Sequence, residues 1–290
     1  MKKKMAAVFL AGILTSSFLL TGCGNSGADG SDAKGSSASS AATASSAGQS
    51  GDLLEQIQGK GEIVVAMEGT WAPWTYHDEN DNLVGYDVEV AEQIADKLGV
   101  KATFVEGEWD GLLAGIDSGR YDIMVNGVDI TEERAEKYSF SDPYAYNRTA
   151  VIVKSDNDEI QSMEDLKGKN TANTISSTYA EVAEKYGATV TGVDDLEQTF
   201  ELLLSGRIDA TLNAEVTYYD YMKAHPDAEI KIATLDPEST KVGIPMKKGD
   251  ETKTLLEAVN KALGELSEDG TLTELSEKYF GTDISKETAE

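Results

Sequence analysis

Residues 118–131 read SGRYDIMVNGVDIT, and residues 205–218 read SGRIDATLNAEVTY. Laid over one another, the two stretches share Ser-Gly-Arg, an aspartate two residues on, and an asparagine, Asn126 in the first and Asn213 in the second. Each has a turn signal, a short apolar run and then polar groups, the pattern of a buried strand that stops at an edge. An internal echo of this kind points to a chain that builds one plan twice.

The surroundings agree. Before the first copy, EIVVAM and KATFVEG read as strands, with DVEVAEQIADKLG between them as a helix that puts Val88, Ala91, Ile94, Ala95 and Leu98 on one face. A second helix runs through LLAGIDS. From Thr149 the rhythm restarts with TAVIVK, MEDLKG, TANT, TYAEVAEKYG, LEQTFELLLSG, IDATLN and EVTYYDYMKAH, followed by TKVGIPMK and the two helices ETKTLLEAVNKALGELSE and TLTELSEKYFG. Strands alternating with helices imply an α/β fold of two lobes, each a doubly wound, mostly parallel sheet flanked by helices. In open sheets of this class ligands sit beyond the carboxyl ends of the strands. Both asparagines fall at a strand end, so the polar groups after them belong to a cleft between the lobes.

The N-terminus has a separate logic. MKKK, the apolar stretch Met5–Leu20 and then Leu20-Thr21-Gly22-Cys23 form the layout of an export signal, too short to be read as a spanning helix. Its end resembles the lipobox of bacterial lipoproteins, in which Cys23 becomes the lipid-modified first residue. Cys23 is the one cysteine, which excludes an intramolecular disulfide. Residues 23–52, rich in Ser, Ala and Gly, read as a flexible tether, and about 230 residues remain for folding, comfortable for two lobes. The expected division is 1–22 signal, 23–52 lipidated tether, 53–148 with 242–290 first lobe, and 149–241 second lobe.

Formal charge is −27, and removal of Lys2, Lys3 and Lys4 leaves 22 basic against 52 acidic residues. Such a surface argues against nucleic acid as a partner. It favours solubility outside the cell and attracts cationic solutes only weakly through salt.

Arg134 is the sharpest local signal. Thr131 is a good N-cap and Glu132 and Glu133 suit a first helical turn, but Arg134 sets a cation where the helix dipole opposes it. Either an anion offsets it or it reaches a surface glutamate or solvent. In the second half, Thr178 and Glu181 have capping-box spacing ahead of YAEVAEKYG, with Gly187 as the stop. Free amides at such a helix start bind carboxylates, although a capping box would occupy some of them.

Gly85-Tyr86-Asp87-Val88-Glu89-Val90, WDGLLAGIDSGRYDIMVNGVDITEER at 109–134, SFSDPY after it and DGTLTELSEKYFG at 269–281 together resemble the family 3 extracellular solute-binding proteins of polar amino-acid ABC transporters. The resemblance covers nearly all of residues 60–285. It implies the type II periplasmic-binding-protein fold, closing on an amino acid between lobes joined by two crossing segments near Tyr146–Val151 and Ser239–Gly243. It implies that Arg134 grips the ligand α-carboxylate, and that Ser177 and Thr178 meet the same group from the second lobe. Asn126, Gly127 and Asp129 match the strand-end segment that contacts the α-carboxylate and α-amino groups; Asn213 is its echo. Glu68, Trp71 and Trp74 match the loop around the ligand side chain, and Trp109 either closes the far wall or is a core aromatic.

One departure stands out, since the family commonly places an aspartate on the second lobe for the α-ammonium, where this chain has Ala214. Asp129 then supplies the charge from the first lobe or merely caps the helix start; Glu215 and Glu68 are the alternatives. WDGLLAGIDS, NGVDITEERAEKYSFSDPY and LSEKYFGTDIS look most similar to the cystine-binding branch, which makes cystine the first expected ligand and arginine or another polar amino acid the next.

The resemblance further implies an ABC permease as partner, anchorage to the outer face of the cell membrane through Cys23, a monomer, no cofactor and no metal. Two other readings share the fold: an enzyme, as dehydratases and cell-wall lyases do, and a sensor that docks on a receptor. His77 and His225 look like loop ends rather than members of a triad, and no His, Cys or Asp cluster has metal-ligand spacing. A lyase built on Glu68 is the one enzymatic arrangement that remains.

Overall fold

The computed structural model describes residues 51–287, which lie within one compact unit. The signal, the lipobox with Cys23 and most of the tether lie outside the described residues. Among the described residues no helix is long and apolar enough to cross a membrane.

The described residues open with helix α1 (Leu53–Lys60), capped by Asp52, and enter strand β1 (Glu62–Met67). A small meander of β2 (Thr70–Trp71), β3 (Thr75–His77) and β4 (Leu83–Val84) leads to α2 (Tyr86–Leu98). The apolar stripe read from α2 is the buried one: Val88, Ala91, Ile94, Ala95 and Leu98 all lie in the core. Then come β5 (Lys101–Glu106), α3 (Trp109–Asp117), β6 (Ile123–Met124), α4 (Glu132–Lys137) and β7 (Tyr138–Phe140). Strands β5, β1 and β6 form a wholly parallel sheet in that order.

The second half begins with β8 (Ala145–Lys154) and continues through β9 (Asn170–Asn173), α5 (Thr178–Lys185), β10 (Thr189–Gly192), α6 (Leu196–Leu204), β11 (Ala210–Ala214), α7 (Glu215–Ala224) and β12 (Ile230–Val242). Its sheet has the order β10-β9-β11-β8-β12, parallel except that β8 runs against both neighbours. The chain then returns through β13 (Pro245–Lys247), paired with β7, and through α8 (Lys253–Glu268) and α9 (Thr271–Phe280), which pack on α2. This is the two-lobed α/β arrangement. Before β8 joins the second sheet at Thr149, Ala145–Arg148 pair only with Ser239–Val242 of β12, making a two-stranded ribbon.

The echo is structural. Ser118 and Ser205 end α3 and α6 in nearly the same backbone conformation, and Gly119 (φ 67) and Gly206 (φ 71) turn the chain through the left-handed region. Asp122 Oδ2 accepts from Val64 N–H at 2.8 Å, and Asp209 Oδ2 accepts from Asn170 N–H at 2.7 Å. In both halves the aspartate ties the neighbouring strand.

One local expectation is corrected. The N-cap of α5 is Ser177, whose hydroxyl accepts from Ala180 N–H, and Thr178 is the first helical residue. The Thr178 hydroxyl instead donates to the Asp129 carboxylate, because a charged acceptor makes the stronger bond.

Candidate ligand-binding site

A cavity lined by residues of both halves lies between them. One wall descends from strand ends of the first sheet. After β1 the chain runs into Glu68, whose N–H donates to Asn126 Oδ1 at 2.8 Å while Asn126 Nδ2 donates back to Glu68 Oε2 at 2.7 Å. Asn126, just past β6, is fully buried and does not line the cavity. Its polar side chain is there to hold the Glu68 loop. Gly127 (φ 54) follows, and a Cβ at that position would stand 2.6 Å from the Trp71 ring, so only glycine lets the indole lie over the backbone.

Trp71 faces the cavity and stacks on Trp74 at 5.3 Å between centroids. Trp74 is fully buried, packed on Phe280 and Tyr86, and does not line the cavity. It backs Trp71 instead of touching a ligand. Trp109, first residue of α3, does line it, and its Nε1–H is buried without a partner.

Arg134 is only 7% exposed, with its N–H bound to the Thr131 cap at 3.2 Å. Its guanidinium lies over the Trp109 ring, 5.2 Å from the centroid, and donates to the carbonyls of Asp129 at 3.2 Å and Ser176 at 3.0 Å. Among the described residues no ion pair includes it. A buried cation that has only neutral acceptors has its charge left to offer to an anion.

Asp129 sits beside it, its segment pinned to the ribbon by Ile130 N–H to Lys241 O (2.8 Å) and Gly243 N–H to Val128 O (2.9 Å). One carboxylate oxygen accepts from Thr178 and the other is buried with no partner. Burial pushes this carboxyl up, against the opposing pull of the Thr178 and Thr240 hydroxyls and of Arg134. Burial likewise raises Glu68 to about 7, with the Asn126 bond opposing and the charge of Asp195 adding to the rise.

The second wall carries Ser177, Thr178 and Asn213, and Asn213 Oδ1 accepts from Ala214 N–H and, across the cleft, from Trp71 Nε1–H at 3.2 Å. Glu215 is not on this wall. It pairs with Arg148 at 2.7 Å on a separate groove lined by Tyr146 and Tyr219, which removes it as a partner for a ligand in the cleft. Glu215 begins α7, where Arg148 and Tyr219 hold its carboxylate.

Reading the sequence missed Thr70, Asn173, Thr174, Tyr179, Asp195, Leu196 and Thr199, all of which line the cavity. The echo offered a signal for some of them. Leu196 and Thr199 belong to α6, the helix that ends at the second Ser-Gly-Arg and matches α3, which starts at Trp109.

The profile of the bacterial extracellular solute-binding proteins, family 3, matches residues 63–282. The L-cystine-binding protein TcyA of Bacillus subtilis is 42% identical over 241 residues, covering 82% of this chain and 88% of that protein. A probable amino-acid ABC transporter-binding protein of Haemophilus influenzae is 37% identical over 237 residues, 82% of this chain and 91% of the relative. Among solved structures, an ancestral arginine-binding protein bound to arginine superposes with a TM-score of 0.71 at 40% identity, covering 76% of this chain and 99% of that one.

Proposed function

The chain belongs to the bacterial extracellular solute-binding proteins of family 3, and from that premise we propose that it captures a polar amino acid in the Arg134 cleft and hands it to the permease of an ABC importer. Its relatives are named for binding, and its role is binding rather than catalysis. Arg134 carries the reading for this chain: a buried guanidinium on Trp109, facing Ser177 and Thr178, with no carboxylate of its own. It takes the ligand α-carboxylate with the two-pronged geometry that suits arginine. The unpartnered Asp129 oxygen takes the α-ammonium, the role left open by Ala214, and Trp71 covers the side chain. Cystine is the first candidate because of the relative from B. subtilis, and arginine the second because of the arginine-bound structure.

Lobe boundaries at 148/149 and 241/242 fit this use, since the ribbon of Ala145–Arg148 and Ser239–Val242 is then the hinge. Export and lipidation at Cys23 complete the proposal. Cys23→Ala should move the protein from the membrane to the soluble fraction with ligand affinity unchanged; retention in the membrane would reject the anchor.

Thermal unfolding in the presence of each of the twenty amino acids and cystine tests the reading. A ligand at about 100 times its dissociation constant stabilises by about 2.7 kcal/mol. No shift with any of them would reject it.

A further inference from the structure

Among the described residues, two that are not glycine turn through the left-handed region, Asp81 (φ 64) and Ser176 (φ 62). Asp81 sits in the tight turn Asp78–Asn82, and aspartate tolerates this conformation. Ser176 is different. It is the third residue of a turn that Ser177 N–H closes on Thr174 O at 3.2 Å, and a positive φ at that place is ordinarily left to glycine. A serine there carries a cost that its side chain must offset.

The hydroxyl is used. It donates to Oδ1 of Asp110, the second residue of α3 in the first half, and so reaches across the cleft to a charged acceptor. The carbonyl of the same serine accepts from Arg134 Nη2 at 3.0 Å, and the Arg134 guanidinium lies over the ring of Trp109, the chain neighbour of Asp110. One residue of the second half is thus held at two points by the first. Neither Asp110 nor Ser176 lines the cavity, although Trp109 and Ser177 beside them do, and both are exposed. The pair therefore stands at the mouth, next to the carboxylate anchor and outside the cavity wall.

We propose that the bond between Asp110 and Ser176 is a latch across the mouth of the cleft, which slows ligand release without touching the ligand. It rests on the amino-acid reading above and deepens it. Every α-amino acid presents the same carboxylate to Arg134, and the latch closes beside that group. It therefore lengthens the lifetime of each bound amino acid by the same factor and does not discriminate among side chains. Among related complexes most of the difference in affinity lies in the dissociation rate, which is the step such a latch controls. Asp110 and Ser176 are positioning residues: they hold the turn of the second half against the anchor of the first.

Stopped-flow tryptophan fluorescence on the purified protein tests the latch, with Trp71 and Trp109 in the cleft as reporters and with L-cystine, L-arginine and any other amino acid that raises the unfolding temperature as ligands. Ser176→Gly removes the hydroxyl and keeps the turn, because glycine adopts the positive φ freely, and thermal unfolding of the free variant checks that the fold is retained. The dissociation rate is expected to rise about fivefold or more, as for the loss of one hydrogen bond to a charged group, with the association rate changed less than about twofold. Asp110→Ala should do the same, and the double variant no more than either single one. The factor should agree within about twofold from ligand to ligand. Dissociation as slow as in wild type, additive effects in the double variant, or a factor that depends on the ligand would overturn the latch and leave the amino-acid reading standing. If the wild-type protein binds none of the amino acids, both proposals fall together.

Discussion

Asn126 and Asn213 occupy matching places in the two halves of the molecule and do opposite things. Asn126 turns inward and clamps Glu68 from both its N–H and its carboxylate, wholly within the first wall. Asn213 turns outward and takes the indole N–H of Trp71 from across the cleft. Ahead of them, Asp122 and Asp209 do the same job on their own strands. The duplicated plan is therefore kept where it ties strands together and abandoned at the strand end, where the walls meet a ligand. The first wall is preorganised, with its tryptophans stacked, its glutamate clamped and its arginine seated; the second supplies hydroxyls, amides and Asp195.

The largest test of that asymmetry is Arg134→Ala. Loss of the carboxylate anchor from the first wall should weaken binding by about 2 to 5 kcal/mol. The free protein should be no less stable, because an unpaired buried charge is removed. Calorimetry on the folded variant decides it, and an affinity within about threefold of wild type would end the anchor role.

Next comes pH. Glu68 and Asp87, the two carboxyls that burial pushes up to about 7, both lie in the first half; Asp87 accepts from Tyr144 OH at 2.7 Å and its other oxygen has no partner. The folded state keeps these protons at pH values where the unfolded chain has released them. Their contribution is therefore full below about pH 4 and is lost as pH rises towards 7. Thermal unfolding of the free protein should show stability falling over that window, more steeply than in the Glu68→Gln/Asp87→Asn double variant. Equal slopes would refute the assignment.

Asn126→Ala should cost about 2 kcal/mol of stability with or without ligand, since it strands both the N–H and the carboxylate of Glu68. A variant that unfolds like wild type would show that the first wall is not clamped this way.

Asp129→Ser should weaken binding at least tenfold, about 1.4 kcal/mol. Adding Ala214→Asp should restore much of it by moving the charge to the second wall, a coupling that a double-mutant cycle isolates. If instead Asp129→Ser lowers only the stability of the free protein, the carboxylate is structural.

The smallest expected effect is that of Asn213→Ala. Because the long-range bond of Asn213 crosses the cleft and its other bond is to the adjacent Ala214 N–H, affinity should fall by less than about tenfold, in the range of one neutral hydrogen bond, with less loss of stability in the free protein than Asn126→Ala causes. A loss of stability equal to that of Asn126→Ala would erase the difference between the two asparagines.

Much of this was readable along the chain. The strands, the helices, the stripe on α2, the Thr131 cap and the place of Arg134 after a strand end are set by neighbours within a few residues, and turn chemistry and apolar period record such neighbours directly. The family likeness supplied half of the cavity lining by the same route, motif by motif.

Tertiary structure alone decided what each polar side chain is for. Trp74 and Asn126 share motifs with true lining residues and are set behind the wall; Glu215 follows Asn213 by two positions and points to another groove; Thr178 has the spacing of a cap and instead bonds Asp129. Asn173 and Asp195 carried no local mark of a site. Several of the deciding partners lie dozens of residues away in sequence, 58 between Asn126 and Glu68 and 142 between Asn213 and Trp71. Whether a buried charge is paired depends on distances that only the folded chain sets, and an energy that falls with separation and rises with burial has no local signature in the sequence.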